Sequence, residues 1–319
     1  MKKKIAIVGF GRAGQRFFAH LKKKNNIKII KIIVKNKRNV FFRNKNIGGT
    51  FADIKNLGDV DGVVITTNYK VSFKYAEFFL KKKIPILIEK PFCETVSQSK
   101  KIEDLFKKNK SSFLINYSDT FDPKFVQLTD KGIKKIGKIK SIIGSYGNNK
   151  TLYPVKNKYY PIQNWISHPI SMFLKICGDI TKFKIINYKL EKKNSFFFEK
   201  AQVQLFKKNL DLLFNFSNYP GSKNRNIKIT GSKGYLKFNS YNSIDNYIFY
   251  KKKIYIKSTI TPIENILNLF LKNINKNNTI SNLNIGIKEH FLSNAILKKI
   301  LKIKSKRYFS NKYANVVRM

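Results

Sequence analysis

The sequence predicts an α/β protein with two domains. The first is an N-terminal doubly wound parallel sheet over residues 1–118; the second is a C-terminal α+β domain with a mostly antiparallel sheet over 119–319. Three observations predict this. Short runs of β-branched residues alternate with helical patterns through the N-terminal domain, which is the mark of βαβ units. A glycine-rich turn follows the first of these runs. Beyond Asp119 the texture changes to long strand-like alternations separated by turn pairs such as Pro220-Gly221.

In chain order, Lys4 to Val8 reads as a strand and Gly14 to Lys24 as a helix with Phe17, Phe18 and Leu21 on one stripe. Ile27 to Val34 is a second strand and Gly62 to Thr67 a third. Val71 to Lys82 is a helix with Phe78 and Phe79 inward; Ile84 to Ile88 is a strand, Val96 to Lys108 a helix and Ser112 to Ile115 a strand. In the C-terminal domain a single helix, about Trp165 to Ile176, precedes the strands, and two more near Ile263 to Asn275 and Ile287 to Ile303 close the chain.

Composition excludes more than it assigns. With 65 Lys+Arg against 18 Asp+Glu the net charge is +47, which invites a nucleic-acid or membrane-surface reading. The lysines are spread through nearly every segment, however, and Asn, Ile, Phe and Tyr, which share A/T-rich codons with lysine, are enriched beside them. Arginine, the better reader of guanine, is scarce. No specific nucleic-acid partner is expected. Cys93 and Cys177 stand alone, so no disulfide framework or metal site is indicated. The opening MKKKIAIVGFGRAG has too short an apolar run for a signal peptide, and no run reaches the ~18 residues that span a bilayer. A soluble, cytoplasmic protein without a membrane partner is the expectation.

The first glycine turn carries chemistry. Gly9-Phe10-Gly11-Arg12-Ala13-Gly14 is a GxGxxG that leaves a strand and opens a helix. Gly9 permits the turn, Gly11 admits a pyrophosphate to the backbone, and Gly14 lets helix pack on strand. This is the dinucleotide-binding fingerprint of a Rossmann domain. Sites that prefer NAD carry an acid at the end of the second strand. Here that strand runs into Lys35-Asn36-Lys37-Arg38, which suits a 2′-phosphate, and NADP is favoured over NAD.

The stretch DGVVITTNYKVSFKYAEFFLKKKIPILIEKPF resembles the Gfo/Idh/MocA oxidoreductase family, through Asp61, Val63, Ile65 and Thr67 and then Glu89-Lys90-Pro91. Fainter likenesses follow in ITGSKGYLKF and in QNWISHPISMFLKICG, whose Trp165, His168, Ser171, Met172, Leu174 and Gly178 look like a polysaccharide-pathway subgroup. The resemblance implies an NAD(P)-dependent oxidoreductase acting on a sugar or nucleotide sugar, and a possible homo-oligomer built on an exposed sheet face. It implies cofactor contacts from Thr66, Thr67, Asn68, Glu89, Lys90, Pro91 and Asn116, and an unusual Lys-Pro peptide. Asn164 stands where the family has aspartate, Ile166 where it has glycine, Asn68 where proline is common and Ser72 where histidine often follows.

Hydride transfer at a secondary alcohol needs a fixed nicotinamide and a route for the hydroxyl proton. Lys90, at the carboxyl end of a parallel strand, points at the ligand crevice and is the first catalytic candidate, with Glu89 to hold it. His168 is the second, as acid or base. Asn164, Trp165 and Tyr117 are candidate substrate contacts; Tyr153, Tyr159 and Tyr160 are weaker ones. His20 and His290 read as surface or packing residues. A cofactor-binding regulatory or scaffold protein, with chemistry impaired by Asn164, is the alternative function.

Overall fold

The computed structural model describes residues 2–36, 39–42, 44–148, 161–180, 182–193, 196–207, 210–242, 244–274 and 279–316. Two compact units emerge: Met1–Phe121 with Ile260–Ile287, and Asp122–Thr259 with Lys288 onward. The division differs from a cut at 118/119, because Ile260–Ile287 returns to the first unit. Its helix Pro262–Asn273 buries Ile263, Ile266, Leu267 and Phe270 there, and that apolar face decides where it belongs.

The first unit is a six-stranded parallel sheet: β1 (Lys3–Val8), β2 (Ile27–Val34), β3 (Gly48–Thr50), β4 (Gly62–Ile65), β5 (Ile86–Glu89) and β6 (Phe113–Asn116). The order is β3-β2-β1-β4-β5-β6, so the winding reverses between β1 and β4. Helices α1 (Arg12–Leu21), α2 (Tyr69–Lys81) and α3 (Val96–Asn109) connect the strands. Ile5 and Ile7 enter one apolar cluster with Phe17 and Leu21; Ala6 and Val8 enter another with Ala76, Phe79, Leu80 and Ile102. Burial on both faces is why these strands read as unbroken apolar runs rather than alternations. Phe79 is fully buried, while Phe78 packs at the margin.

The second unit begins with a helix that the sequence reading missed, α4 (Pro123–Ile136), capped by Asp122 and opened by Pro123. Phe125, Leu128, Thr129, Gly132 and Ile136 share one face at helical spacing and are buried, while the lysines take the other positions. Next come β7 (Ile139–Gly147), α5 (Pro161–Trp165) and α6 (Ser167–Cys177), so the single helix expected over 165–176 is two. Strands β8 (Lys182–Lys193), β9 (Phe196–Lys207), β10 (Leu210–Ser217), β11 (Asn224–Gly231), β12 (Tyr235–Asn239), β13 (Tyr247–Tyr250) and β14 (Lys252–Tyr255) come after them.

All eight join one sheet in the order β8-β9-β10-β7-β11-β12-β13-β14. Every pair is antiparallel except β10–β7, which is parallel. Alternate residues such as Ala201, Val203, Leu205, Leu212, Phe214, Ile227 and Ile229 are buried, whereas Ile143, Phe206 and Tyr255 are exposed. The helix Leu283–Val316 ends the described chain. Among the described residues no helix is long and apolar enough to cross a membrane.

The α4 packing yields a test. A Cβ on Gly132 would meet Leu236 at 2.4 Å and Ile248 at 3.1 Å. Gly132→Val overpacks this seam and should destabilise the protein by about 2 kcal/mol in urea unfolding, with no loss of far-ultraviolet circular dichroism at low denaturant.

Candidate active site

The nucleotide end is built by close backbone approach. Gly9 adopts φ +95°, and a Cβ there would lie 2.8–2.9 Å from the Thr66 and Thr67 backbone. A Cβ on Gly14 would come within 2.3 Å of the Gly9 carbonyl oxygen. Thr66 Oγ1 donates to that same oxygen at 2.9 Å, tying β4 to the turn. These contacts set α1 directly after β1, at the point where strand order reverses, which is where ligands of such sheets bind.

Helix α1 then begins at Gly11 with no side-chain cap. Its first-turn N–H groups have no intrahelical acceptors, and the helix dipole makes that end partially positive. A Cβ on Gly11 would meet no atom within 4 Å. Open space beside an uncapped helix N-terminus fits a pyrophosphate. Phe10 packs edge-on against Phe18 with centroids 5.6 Å apart, so it supports the turn from within; Arg12 is exposed and Ala13 half-buried. Lys35 and Asn36 follow β2, both exposed, with no carboxylate beside them in the chain. Arg38 lies outside the described residues, as do Tyr153, Tyr159 and Tyr160.

Two departures from the family pattern have local explanations. Asn68 caps α2 by accepting from the Lys70 N–H at 3.0 Å. Ser72 is buried, shares a 2.9 Å hydrogen bond with Thr67 Oγ1 and donates to the Thr67 and Asn68 carbonyls. Together they rigidify the segment after β4.

At the ends of β5 and β6, Glu89 and Asn116 face each other in register, and Asn116 Nδ2 donates to Glu89 Oε1 at 2.7 Å. Burial pushes the Glu89 carboxyl above its ordinary range; the Asn116 hydrogen bond, the Lys90 charge and the Lys90 N–H pull the other way. Lys90 is half-buried, and the Lys90–Pro91 peptide is cis. Tyr117 does not line a crevice: it is fully buried in the apolar cluster with Phe92, Phe113 and Ile115. Its neighbour Asn116 ends the strand, and the chain then turns inward, so the next ring packs.

In the second unit, His168 sits in the first turn of α6 among aromatic rings. It stacks on Tyr146, with centroids 6.4 Å apart at 11°, and lies 5.9 Å from Trp165. Asn164 is exposed on α5. Sequence reasoning passed over Arg225, the first arginine after a gap from Arg43. Its Nη2 lies 3.0 Å from His168 Nδ1, and its guanidinium lies 5.6 Å from the Trp165 ring centroid. A guanidinium only donates, so Nδ1 is the acceptor and the imidazole proton resides on Nε2. A second proton on Nδ1 would set two donors against each other.

Glu199, likewise overlooked, anchors α5, the short helix that precedes the one carrying His168. It is fully buried, accepts from the Ile162 N–H at 2.9 Å in the first turn of α5, and accepts from Tyr188 Oη at 2.7 Å. Both cysteines are free; Cys93 is buried, and burial pushes the Cys177 thiol up to about 11, which keeps it protonated at neutral pH.

Residues 3–117 match the family model described as the oxidoreductase family, NAD-binding Rossmann fold. No curated protein matches the sequence. Solved structures resemble it along its length. A dehydrogenase from Chromobacterium violaceum is 12% identical with a TM-score of 0.80, covering 98% of this chain and 99% of the other. A UDP-N-acetylglucosamine 3-dehydrogenase from Acidithiobacillus ferrooxidans is 13% identical with a TM-score of 0.76, covering 93% and 97%. A variant of a 3-ketoreductase from Actinomadura kijaniata, solved with TDP-benzene and NADP, is 14% identical with a TM-score of 0.71, covering 92% and 96%. At such identities the likeness establishes the fold. What the comparisons identify is therefore an NAD-binding Rossmann domain of the oxidoreductase family over residues 3–117.

Proposed function

We propose that this chain transfers a hydride between NADP and the secondary alcohol or ketone carbon of a sugar or nucleotide sugar. The observation that carries the reading is the joint occurrence, in one NAD-binding sheet, of an uncapped glycine turn after β1 and the Glu89-Lys90-Pro91 corner after β5. The first-turn N–H groups of α1 would hold the pyrophosphate. Preference for the 2′-phosphate is supported by exposed Lys35 and Asn36 where a carboxylate would repel it. When bound, the nicotinamide supplies the hydride donor or acceptor.

The proton is the protein's task. Lys90, at the mouth of the sheet beside a desolvated carboxyl, hydrogen-bonds the reacting oxygen and exchanges its proton. Within the second unit, the Arg225 guanidinium at Nδ1 leaves the His168 proton on Nε2, where it is available for donation to a substrate oxygen. The sugar class is supported by two of the structural neighbours, one named as a dehydrogenase of a nucleotide sugar and the other as a 3-ketoreductase. The second reading, cofactor binding without turnover, draws on Asn164, an amide where a carboxylate would hold an imidazolium.

Three outcomes test these assignments. Gly11→Val should lower NADPH affinity by at least about ten-fold with its melting temperature unchanged, because the added atoms enter open space; a fall in both would point to a structural turn instead. In calorimetry NADPH should bind about ten-fold more tightly than NADH, and Lys35→Glu should erase the difference. Lys90→Met should retain NADPH binding while kcat falls by roughly 10²–10⁴; an unaltered kcat would remove Lys90 from the chemistry, and activity absent from the wild type with every sugar ketone offered would favour the second reading.

A further inference from the structure

We propose that the second unit holds a site for a phosphorylated sugar on the sheet face turned away from His168. The proposal does not rest on the oxidoreductase reading. A Cβ on Gly144 of β7 would meet Phe173 and Pro169 of α6 at 3.0–3.5 Å, so the helix carrying His168 covers that side. Side chains alternate along a strand; Ser145 takes the opposite face, and Tyr146 returns to the covered one, where it stacks on His168. On the open face Ser145 stands in register with Asn215 on β10, Gln202 on β9 and Asn187 on β8. The register shift between Ile185 and Asn187 leaves Ile186 unpaired, and this bulge brings Asn187 level with Gln202. The row floors a concavity of about 490 Å³, a size typical of small-molecule sites.

Its central pair is oriented. Gln202 Nε2 donates to Asn215 Oδ1 at 3.0 Å, so Gln202 turns its carbonyl oxygen, and Asn215 its NH2, to the other side. An acceptor beside a donor matches adjoining hydroxyls, each of which donates and accepts. One wall is fixed in advance. Ser222 N–H donates to the Tyr219 carbonyl at 3.0 Å across a turn in which Gly221 has φ +81°. The Ser217 and Ser222 hydroxyls share a 2.7 Å hydrogen bond, and a Cβ on Gly147 would lie 2.0 Å from the Ser222 carbonyl oxygen. The turn is thereby pinned to the sheet. Lys200 and Lys223 also line the concavity, and no Asp or Glu does. Lysines are common in this chain, but these two adjoin oriented amides and hydroxyls in a recess. That combination selects a polyol bearing an anion, and a phosphate can engage both ammonium groups.

The test is isothermal titration calorimetry of the full chain with the monophosphates of glucose, galactose, mannose and N-acetylglucosamine, with each free sugar, and with inorganic phosphate. At least one sugar phosphate should bind, about ten-fold or more tightly than its free sugar and than inorganic phosphate. Gln202→Leu removes the acceptor and Lys200→Glu opposes the phosphate; each should weaken that binding about ten-fold or more, with the urea-unfolding midpoint unchanged. Two half-exposed or exposed positions are used, so misfolding of one variant does not shield the idea. Failure of every sugar phosphate to bind wild type overturns the proposal. Binding that survives both substitutions overturns it too, because the ligand then sits elsewhere, and inorganic phosphate binding as tightly as the sugar phosphates overturns the sugar class. Absent binding in a dimer that Lys200→Glu dissociates in size-exclusion chromatography would give the face to a second copy of the chain instead. None of these outcomes bears on NADPH binding by the first unit, which tests the oxidoreductase reading separately.

Discussion

The first unit depends on a contact between backbones. Helix α1 leaves β1 so tightly that any side-chain atom on Gly14 would lie 2.3 Å from the Gly9 oxygen, and any on Gly9 would strike the segment after β4. Two glycines therefore let three elements meet at the switch in strand order, and the Thr66 hydroxyl closes the junction by donating to Gly9. The consequence is electrostatic. A helix held this close to the sheet end exposes its uncapped N–H groups along the line of the carboxyl termini of β1, β4, β5 and β6. The Glu89-Lys90-Pro91 corner and Asn116 occupy that same line because β5 and β6 are parallel to β1. Parallelism, enforced by the helical crossovers, gathers polar strand ends on one edge.

The second unit uses a buried carboxylate for a comparable purpose. A fully buried Glu199 satisfies both the N–H of Ile162 and the hydroxyl of Tyr188, and its own backbone pairs with Asn218. Such a charge is tolerated because it is hydrogen-bonded from several sides and sits at a helix N-terminus. The effect is to seat α5, and with it Trp165 and the start of α6. On that seat His168 is oriented twice, by stacking on Tyr146 and by the Arg225 guanidinium at Nδ1. In the family pattern an aspartate accompanies this histidine. Here the Arg225 guanidinium donates to Nδ1, which leaves the ring proton on Nε2.

Much of the first unit is legible in the sequence because its signals are local and periodic. Ile27–Val34 reads as one uninterrupted apolar strand, and the Gly9–Gly14 spacing names its own turn. Helix α4 is legible too: it carries its apolar stripe at helical spacing between lysines, and Asp122-Pro123 is a capping pair at its start. What the sequence conceals is long-range. The return of Ile260–Ile287 to the first unit depends on which core its apolar face meets, and no window of sequence states that. Adjacency to a strand end suggests a crevice position for Tyr117, yet the chain turns and buries it. Arg225 and Glu199 are invisible as site residues because each matters through a partner distant in sequence: 57 residues to His168, 37 to Ile162. Rarity is the available signal, since an arginine among so many lysines, or the one acid in the strand Phe196–Lys207, stands out against the composition around it.

Scarcity also explains where the acids stand. With 18 acids against 65 Lys+Arg, carboxylates are scarce, and several of them serve as acceptors for backbone N–H groups or lysines. Asp61 accepts the Lys4 N–H where β1 begins, and Asp122 caps α4. Asp53 closes the turn of the short helix Phe51–Asn56 by accepting from Thr50, and Glu77 draws Lys81 and Lys101 together from two helices. An ammonium has no acceptor to offer at any of these points. The uncompensated lysines are left at the surface, where they repel one another and weaken the compact state. A surface built to grip a polyanion would gather that charge on one face; here the lysines are scattered along the sequence rather than held in one block. A lysine in this chain consequently differs from the others by its surroundings and not by its charge: Lys35 by having no carboxylate beside it in the chain, Lys90 by following Glu89, whose carboxyl burial pushes above its ordinary range.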